Sequence, residues 1–367
     1  MEYIIFAGML IISFLISYFT VPFAIEFANK KGIIDNPKQD DRRVHNKPIP
    51  RVGGIAMVAG VLLTVLIYYI LSLFLEIPID TKIIGFVLGA CVIVAMGFVD
   101  DLVNLKPLYK FLFQLIAGMI IYVFGISIVG IKIPFIHPEL IDFGLWAFPI
   151  TLIWVLGITN AVNLIDGLDG LAAGISSIAS ISLLVIFTVT GANMEVLVIT
   201  LALVGATIGF LPYNFNPAKT FMGDTGSNFL GYTLATVSIM GMAKGYTMLT
   251  IIAPLIVCGV PVFDMLFAIV RRLIKHQKLT TPDKGHIHHR LLKHGFSQKQ
   301  AVLILYGLTS ILGIIAVTMV TGMTKQGILC TFLAIIIWAL GYLYNDLKIR
   351  KSTMIPEQTS KSNEEEK

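Results

Sequence analysis

Charge is scarce in this chain. Only 13% of its 367 residues are Asp, Glu, Lys or Arg, against 56% hydrophobic residues and a mean hydropathy of +0.85. A soluble domain carries about 25% charged residues, so a soluble fold is excluded. Cysteine is scarcer still. Cys91, Cys258 and Cys330 lie in apolar runs without Cys-x-x-Cys or Cys/His spacing, which excludes a disulfide framework and a zinc site. No secretory cleavage pattern accompanies the first apolar run, which Met1 and Glu2 precede without a basic segment, so that run is expected to stay as a span.

What is present is length without charge. Eleven charge-free stretches, 3–25, 52–75, 83–99, 111–131, 143–165, 170–194, 196–218, 225–243, 245–263, 300–324 and 326–345, run from 17 to 25 residues. That range brackets the roughly 20 apolar residues a helix needs to cross a hydrocarbon core. The expected fold is all-α, a polytopic integral membrane protein of eleven transmembrane helices. Residues 1–345 are expected to form a single transmembrane catalytic domain, and the polar segment 346–367 a disordered cytoplasmic tail.

Basic residues give the orientation. Of 27 Lys and Arg, 23 fall in 29–51, 106–110, position 219, 271–299 and the tail, and the remaining four are Lys82, Lys132, Lys244 and Lys325. Positive-inside bias then places the N-terminus outside and the C-terminus in the cytoplasm, with the loops after the odd-numbered spans on the cytoplasmic face. The outer loops are short and plain. The approach from Ile126 to Ile133 alternates enough for a small external hairpin.

The cytoplasmic loops carry the chemistry. After span three, Gly97-Phe98-Val99-Asp100-Asp101 sets two adjacent carboxylates at the hydrocarbon edge, where they are costly unless compensated. They read either as a capped helix end before Pro107 or as a cation site. At the end of span five, a helical reading of Asn160 to Gly170 spaces Asn160, Asn163, Asp166 and Asp169 by three, so that they drift along one face. Interhelical hydrogen bonding would account for one or two of them.

After span seven, Gly223, Thr225, Gly226 and Ser227 precede span eight, so its first turn could present free N–H groups and a positive dipole end to an anion. Asp224 stands where a carboxylate could hold a divalent cation, although a capped helix start would use similar residues. The loop after span nine contains His286-Ile287-His288-His289-Arg290 among further basic residues. It suits an anionic ligand, while a histidine metal site or a solvated basic loop would share its composition. Asp264 lies seven residues before Arg271. In a straight helix that is about 10 Å into the membrane, where it serves as a helix-packing partner or as support for the site.

Five carboxylates, Asp100, Asp101, Asp166, Asp169 and Asp224, thus sit at the ends of odd-numbered spans. Clustered carboxylates repel one another unless a divalent cation offsets them, and hard oxygen donors favour Mg²⁺ or Mn²⁺. The expected chemistry is metal-assisted phosphoryl transfer at the inner membrane surface.

Through Val44 to Gly54, Asp100-Asp101, Asn160 to Gly170, Gly223 to Ser227 and His286 to Arg290, the chain resembles the polyprenyl-phosphate N-acetylhexosamine-1-phosphate transferases of glycosyltransferase family 4. The resemblance covers residues 1–345 and is strongest to the bacterial branch that attaches N-acetylglucosamine 1-phosphate to undecaprenyl phosphate. It implies that the lipid phosphate attacks the sugar-bearing phosphorus of UDP-N-acetylglucosamine and releases UMP, with Mg²⁺ or Mn²⁺ and no soluble cofactor. Direct attack and an aspartyl-phosphate intermediate both remain open, as does a homodimer, and no nucleic-acid partner is implied.

Carried onto this chain, the resemblance makes Asn163 and Asp224 the metal ligands, and Asp100 or Asp101 the group that positions or deprotonates the lipid phosphate. His45, Arg51, Asn160, Asp166, Asp169, Asn214, Gly226 and Ser227 would line the substrate pocket, and His286, His288, His289 and Arg290 would receive the sugar and diphosphate. The related branch using UDP-N-acetylmuramoyl-pentapeptide typically reads Thr-Pro-Thr-Met-Gly-Gly where this chain has Pro48-Ile49-Pro50-Arg51-Val52-Gly53-Gly54, and carries an uninterrupted His triplet. Both departures favour the N-acetylglucosamine branch. A transporter is the alternative of another class, but transporters place binding groups near the midplane, and here the polar groups crowd one face.

Overall fold

The computed structural model describes residues 2–37, 47–133, 137–242, 248–278, 285–322, 325–343 and 347. His45 and all of the expected tail except Leu347 lie outside the described residues. The apolar stretches fold as helices, since a helix satisfies its backbone internally where water is absent. In chain order they are α1 (Glu2–Lys31), α2 (Gly54–Phe74), α3 (Lys82–Val103), α4 (Pro107–Val123), α5 (Ala147–Ile165), α6 (Leu171–Thr190), α7 (Met194–Asn214) and α8 (Gly223–Met242). There follow α9 (Met248–Val257), α10 (Gly259–Ile274), α11 (Ile287–Lys293), α12 (Gln298–Thr321) and α13 (Lys325–Leu343).

Among the described residues eight helices, α1, α2, α3, α5, α6, α7, α12 and α13, are long and apolar enough to cross a membrane, so the protein is a polytopic membrane protein. The helix α4 is apolar but has only 17 residues, ending at Val123 rather than continuing through 131. The straight span expected over 245–263 is broken instead. Its two halves, α9 and α10, meet at 82° on either side of Cys258. Pro254 and Pro261 flank the break and remove N–H donors from the ladder. Asp264 lies beyond the bend, so its depth cannot be counted along a straight helix.

Packing follows the small residues. Ser13 and Ser17 of α1 donate to the carbonyls of Ala202 and Ala206 on α7 at 2.6 and 2.8 Å, and α7 is largely buried. Small and hydroxylated faces let helix backbones approach where lipid removes the hydrophobic drive to associate. The helix α8 is buried between α3 and α5, and Tyr232 on it donates to the Phe86 carbonyl at 2.9 Å. Phe19, Phe23, Phe74 and Val123 lie exposed on the outer surface, where lipid contact accommodates them.

Two short ribbons complete the described fold. Strands β1 (Ile34–Asp35) and β2 (Ile49–Pro50) pair antiparallel, delivering Arg51 to the entrance of α2. The hairpin expected near residues 126–142 is present as β3 (Gly130–Ile133) and β4 (His137–Asp142), also antiparallel.

Candidate active site

The ends of α3 and α5 and the starts of α4 and α8 converge on Asp224, in the first turn of α8. Arg51 Nη2 donates to Asp224 Oδ2 at 2.5 Å, while Lys110 Nζ and Asn163 Nδ2 donate to Oδ1 at 3.3 and 2.9 Å. Two backbone features permit this closeness. A side chain at Gly97 on α3 would meet Thr225 Cα at 2.5 Å, and Gly223 has φ +66° with Asp101 Oδ2 only 2.6 Å from where a Cβ would stand. Only glycine fits that conformation without strain.

The paired aspartates have different partners. Asp101 accepts from Asp224 N at 2.8 Å, from Thr225 N at 3.0 Å and from Thr225 Oγ1 at 2.6 Å, and Arg51 Nε lies 3.2 Å from its other face. The start of α8 therefore already holds an anion, the Asp101 carboxylate, and the free N–H groups expected there for a ligand phosphate are taken. Gly226 N is likewise bonded to Met222 O at 3.2 Å. Asp100 instead accepts from Leu105 N at 2.7 Å and pairs with Lys110 Nζ.

The expected continuous face from Asn160 to Asp169 is interrupted, because α5 ends at Ile165 and the chain turns at Asp166 with ψ 57°. Asp166 stays beside the carboxylate group. Burial, reinforced by Asp224, pushes its carboxyl up to about 8, with Arg51 opposing. Asp169 leaves the face and accepts from Asn216 Nδ2 at 2.9 Å and Ala218 N at 3.0 Å, clamping the chain between α7 and α8. Asn214, expected at the substrate, is buried with its amide bonded to Gly170 N at 3.2 Å and Thr220 O at 3.0 Å. Both groups hold loops at the edge of the site. Ser227 joins the site as an acceptor from Asn163 at 2.8 Å.

The histidine segment is anchored from α10. Asp264 Oδ2 lies 2.7 Å from His286 Nδ1, and Oδ1 accepts from Ile287 N at 2.9 Å. Of the two roles open for Asp264, the geometry selects support of this segment. His288 is only 2% exposed and its Nδ1 has no hydrogen-bond partner among the described residues. Burial first, then His289, drives its pKa down to about 3, leaving a neutral ring at pH 7. Its Nε2 lies 2.6 Å from where a Cβ on Gly167 would stand, so α11 folds back onto the turn that carries Asp166. The His289 ring lies tilted at 44° against it, with centroids 4.3 Å apart, and Arg290 is exposed.

Lys110, Gln114 and Asn228 are absent from the residues expected of the site. Lys110 was visible only as one more basic loop residue, and Gln114 as an amide within an apolar run. Asn160, expected at the substrate, bonds instead to Gln114 Oε1 at 2.7 Å. Among the described residues, no three His, Cys, Asp or Glu side chains are arranged as a metal cluster; the carboxylates pair with Arg51 and Lys110.

The model of glycosyl transferase family 4 matches residues 83–242, which include Asp100, Asp101, Lys110, Asn163 and Asp224. The chain is 39% identical over 331 residues to a Bacillus subtilis (strain 168) protein named as a probable undecaprenyl-phosphate N-acetylglucosaminyl 1-phosphate transferase, covering 89% of each. It is 33% identical over 313 residues to a decaprenyl-phosphate N-acetylglucosaminephosphotransferase of Mycolicibacterium smegmatis, covering 80% of this chain and 76% of the relative. A phospho-N-acetylmuramoyl-pentapeptide-transferase of Listeria innocua is 31% identical over 322 residues, covering 84% and 96% respectively.

Proposed function

The chain belongs to glycosyl transferase family 4, and from that premise we propose that it transfers N-acetylglucosamine 1-phosphate from UDP-N-acetylglucosamine to undecaprenyl phosphate, releasing UMP. The observation that carries this reading is the convergence of Asp224, Asp100, Arg51, Lys110 and Asn163 at the ends of membrane helices. A charged cluster at the ends of membrane helices suits a lipid phosphate from the bilayer and a nucleotide from water. Relatives named for N-acetylglucosamine transfer are more similar than the pentapeptide transferase, in line with the motif departures at 48–54 and 286–290.

The residues fit a divalent metal. Asp224 and Asn163, through its Oδ1, offer hard oxygen donors, and Asp166 beside them would add a third in its ionised form, which a bound cation would favour. When bound, Mg²⁺ or Mn²⁺ supplies charge neutralisation and polarisation at the diphosphate.

The protein's own groups do the remaining work. Lys110, held between Asp100 and Asp224, turns toward an arriving phosphate, and Asp100 positions the lipid phosphate. Asp101 keeps the first turn of α8, and with it Asp224, in place. Arg51 neutralises charge on the nucleotide side. Exposed Arg290 and neighbouring His289 meet the sugar and diphosphate, and buried His288, packed against Gly167, holds α11 in place beside them.

Purified protein given UDP-N-acetylglucosamine and undecaprenyl phosphate should release UMP. Absence of UMP, or a preference for UDP-N-acetylmuramoyl-pentapeptide, overturns the assignment.

The proposed membrane arrangement has eleven crossings, with the N-terminus outside and the site cytoplasmic. In a background lacking Cys91, Cys258 and Cys330, a cysteine replacing exposed His137 should react with an impermeant thiol reagent on intact cells, and one replacing exposed Lys293 only after permeabilisation. The reverse labelling would invert the topology.

A further inference from the structure

Directly beneath the charged residues lies a layer of amides. Gln114 Nε2 donates to Asn228 Oδ1 at 2.9 Å, and Asn160 Nδ2 donates to Gln114 Oε1 at 2.7 Å. Asn228 Nδ2 in turn donates to the main-chain carbonyl of Asp224 at 2.8 Å. The bonds therefore run from α5 through α4 to the first turn of α8. Each amide sits one helical turn from a site residue on its own helix: Gln114 from Lys110, Asn160 from Asn163, and Asn228 from Asp224. Gln114 and Asn228 are each only 1% exposed.

We propose that Gln114 is a positioning residue, the hub of an amide layer that fixes α4, α5 and α8 in rotational register so that Lys110, Asn163 and Asp224 converge. This rests on the reading of Asn163 and Asp224 as metal ligands. A Gln at this point suits the task because its planar amide carries an acceptor and two donors: Oε1 accepts from Asn160, while Nε2 donates to Asn228 and, at 3.5 Å, to Asn160 Oδ1. Interhelical amides in membranes add modestly to stability, so the layer's larger consequence is geometric. A rotation of α5 or α8 would separate Asn163 from Asp224, and one of α4 would draw Lys110 away from Asp224.

The test uses the solubilised full chain with Gln114→Leu and Gln114→Asn, reading rate against Mg²⁺ concentration and melting temperature with and without MnCl₂. Partners that orient metal ligands are typically worth 10- to 100-fold in metal affinity or activity, so Gln114→Leu is expected to raise the half-saturating Mg²⁺ by about tenfold or more. The KM for UDP-N-acetylglucosamine should change by no more than about twofold. The rise in melting temperature with MnCl₂ should shrink, because stabilisation by a ligand falls as its affinity falls. Gln114→Asn, shorter by one methylene, should lie between; if Gln114→Leu does not insert, Gln114→Asn decides by the same measures.

A folded variant with the wild-type Mg²⁺ requirement and metal-induced stabilisation overturns the proposal, as does an activity loss that only tracks the folded fraction. A wild type indifferent to EDTA overturns the metal reading and the proposal together, whereas metal-dependent wild type with indifferent variants overturns the proposal alone.

Discussion

Asp224→Asn is expected to reduce kcat/KM by about 10³-fold or more, since a metal ligand's charge is worth several kcal/mol in the transition state and each 1.4 kcal/mol is a factor of ten. Asn keeps the volume and one oxygen able to accept from Asn163 or Arg51, and Asp101 continues to cap α8 through main-chain N–H groups. The variant should therefore insert, purify and melt much as the wild type does. What it loses is the negative charge between Arg51 and Lys110. EDTA should silence the wild type to a similar degree, and excess Mg²⁺ should restore the wild type but not the variant. Undiminished turnover of the wild type after chelation, or of Asp224→Asn in any metal, contradicts the mechanism.

Asp264→Ala is expected to lower kcat/KM by about 10²-fold, although the residue lies on α10 and touches the site only through the histidine segment. The substitution removes the acceptor from His286 Nδ1 and from Ile287 N, two buried groups at the start of α11. Leaving buried donors unpaired costs about 1–3 kcal/mol each, and the relief available to the chain is for α11 to loosen. His288, packed on Gly167, then loses its fixed place. The fall should appear mainly in KM for the nucleotide sugar, with an unchanged Mg²⁺ requirement, and trypsin should cut at exposed Arg290 and Lys293 faster than in the wild type. Asp264→Asn, which keeps one acceptor oxygen, should retain more activity. Unaltered KM and unaltered proteolysis in Asp264→Ala would show that α11 stands without this anchor.

His288 illustrates where sequence reasoning stops. The three histidines suit an anionic ligand by composition, and it is the fold that buries the His288 ring against the turn after α5. Its environment is made by a segment some 120 positions away in the chain, and nothing local to His286-Ile287-His288-His289-Arg290 carries that information. The same holds for Asp169 and Asn214. Spacing groups Asp169 with the site and the family resemblance groups Asn214 with it, while their partners, Asn216, Ala218, Gly170 and Thr220, show that both also clamp loops.

The membrane character, the helices in the apolar stretches and the gathering of carboxylates at helix ends were determined by sequence alone. The physical reason is that hydrocarbon forbids unsatisfied backbone and tolerates little charge, so these features are set residue by residue along one segment. Tertiary structure alone decided which groups meet. It separated Asp100 from Asp101, brought Lys110 and Gln114 in from α4, bent the chain between α9 and α10, and filled the start of α8 with Asp101. Each of those outcomes depends on the rotation and approach of helices distant in sequence, set by glycine contacts and interhelical hydrogen bonds such as Gly97 against Thr225 and Gln114 between Asn160 and Asn228. Period and composition within one helix contain no term for them.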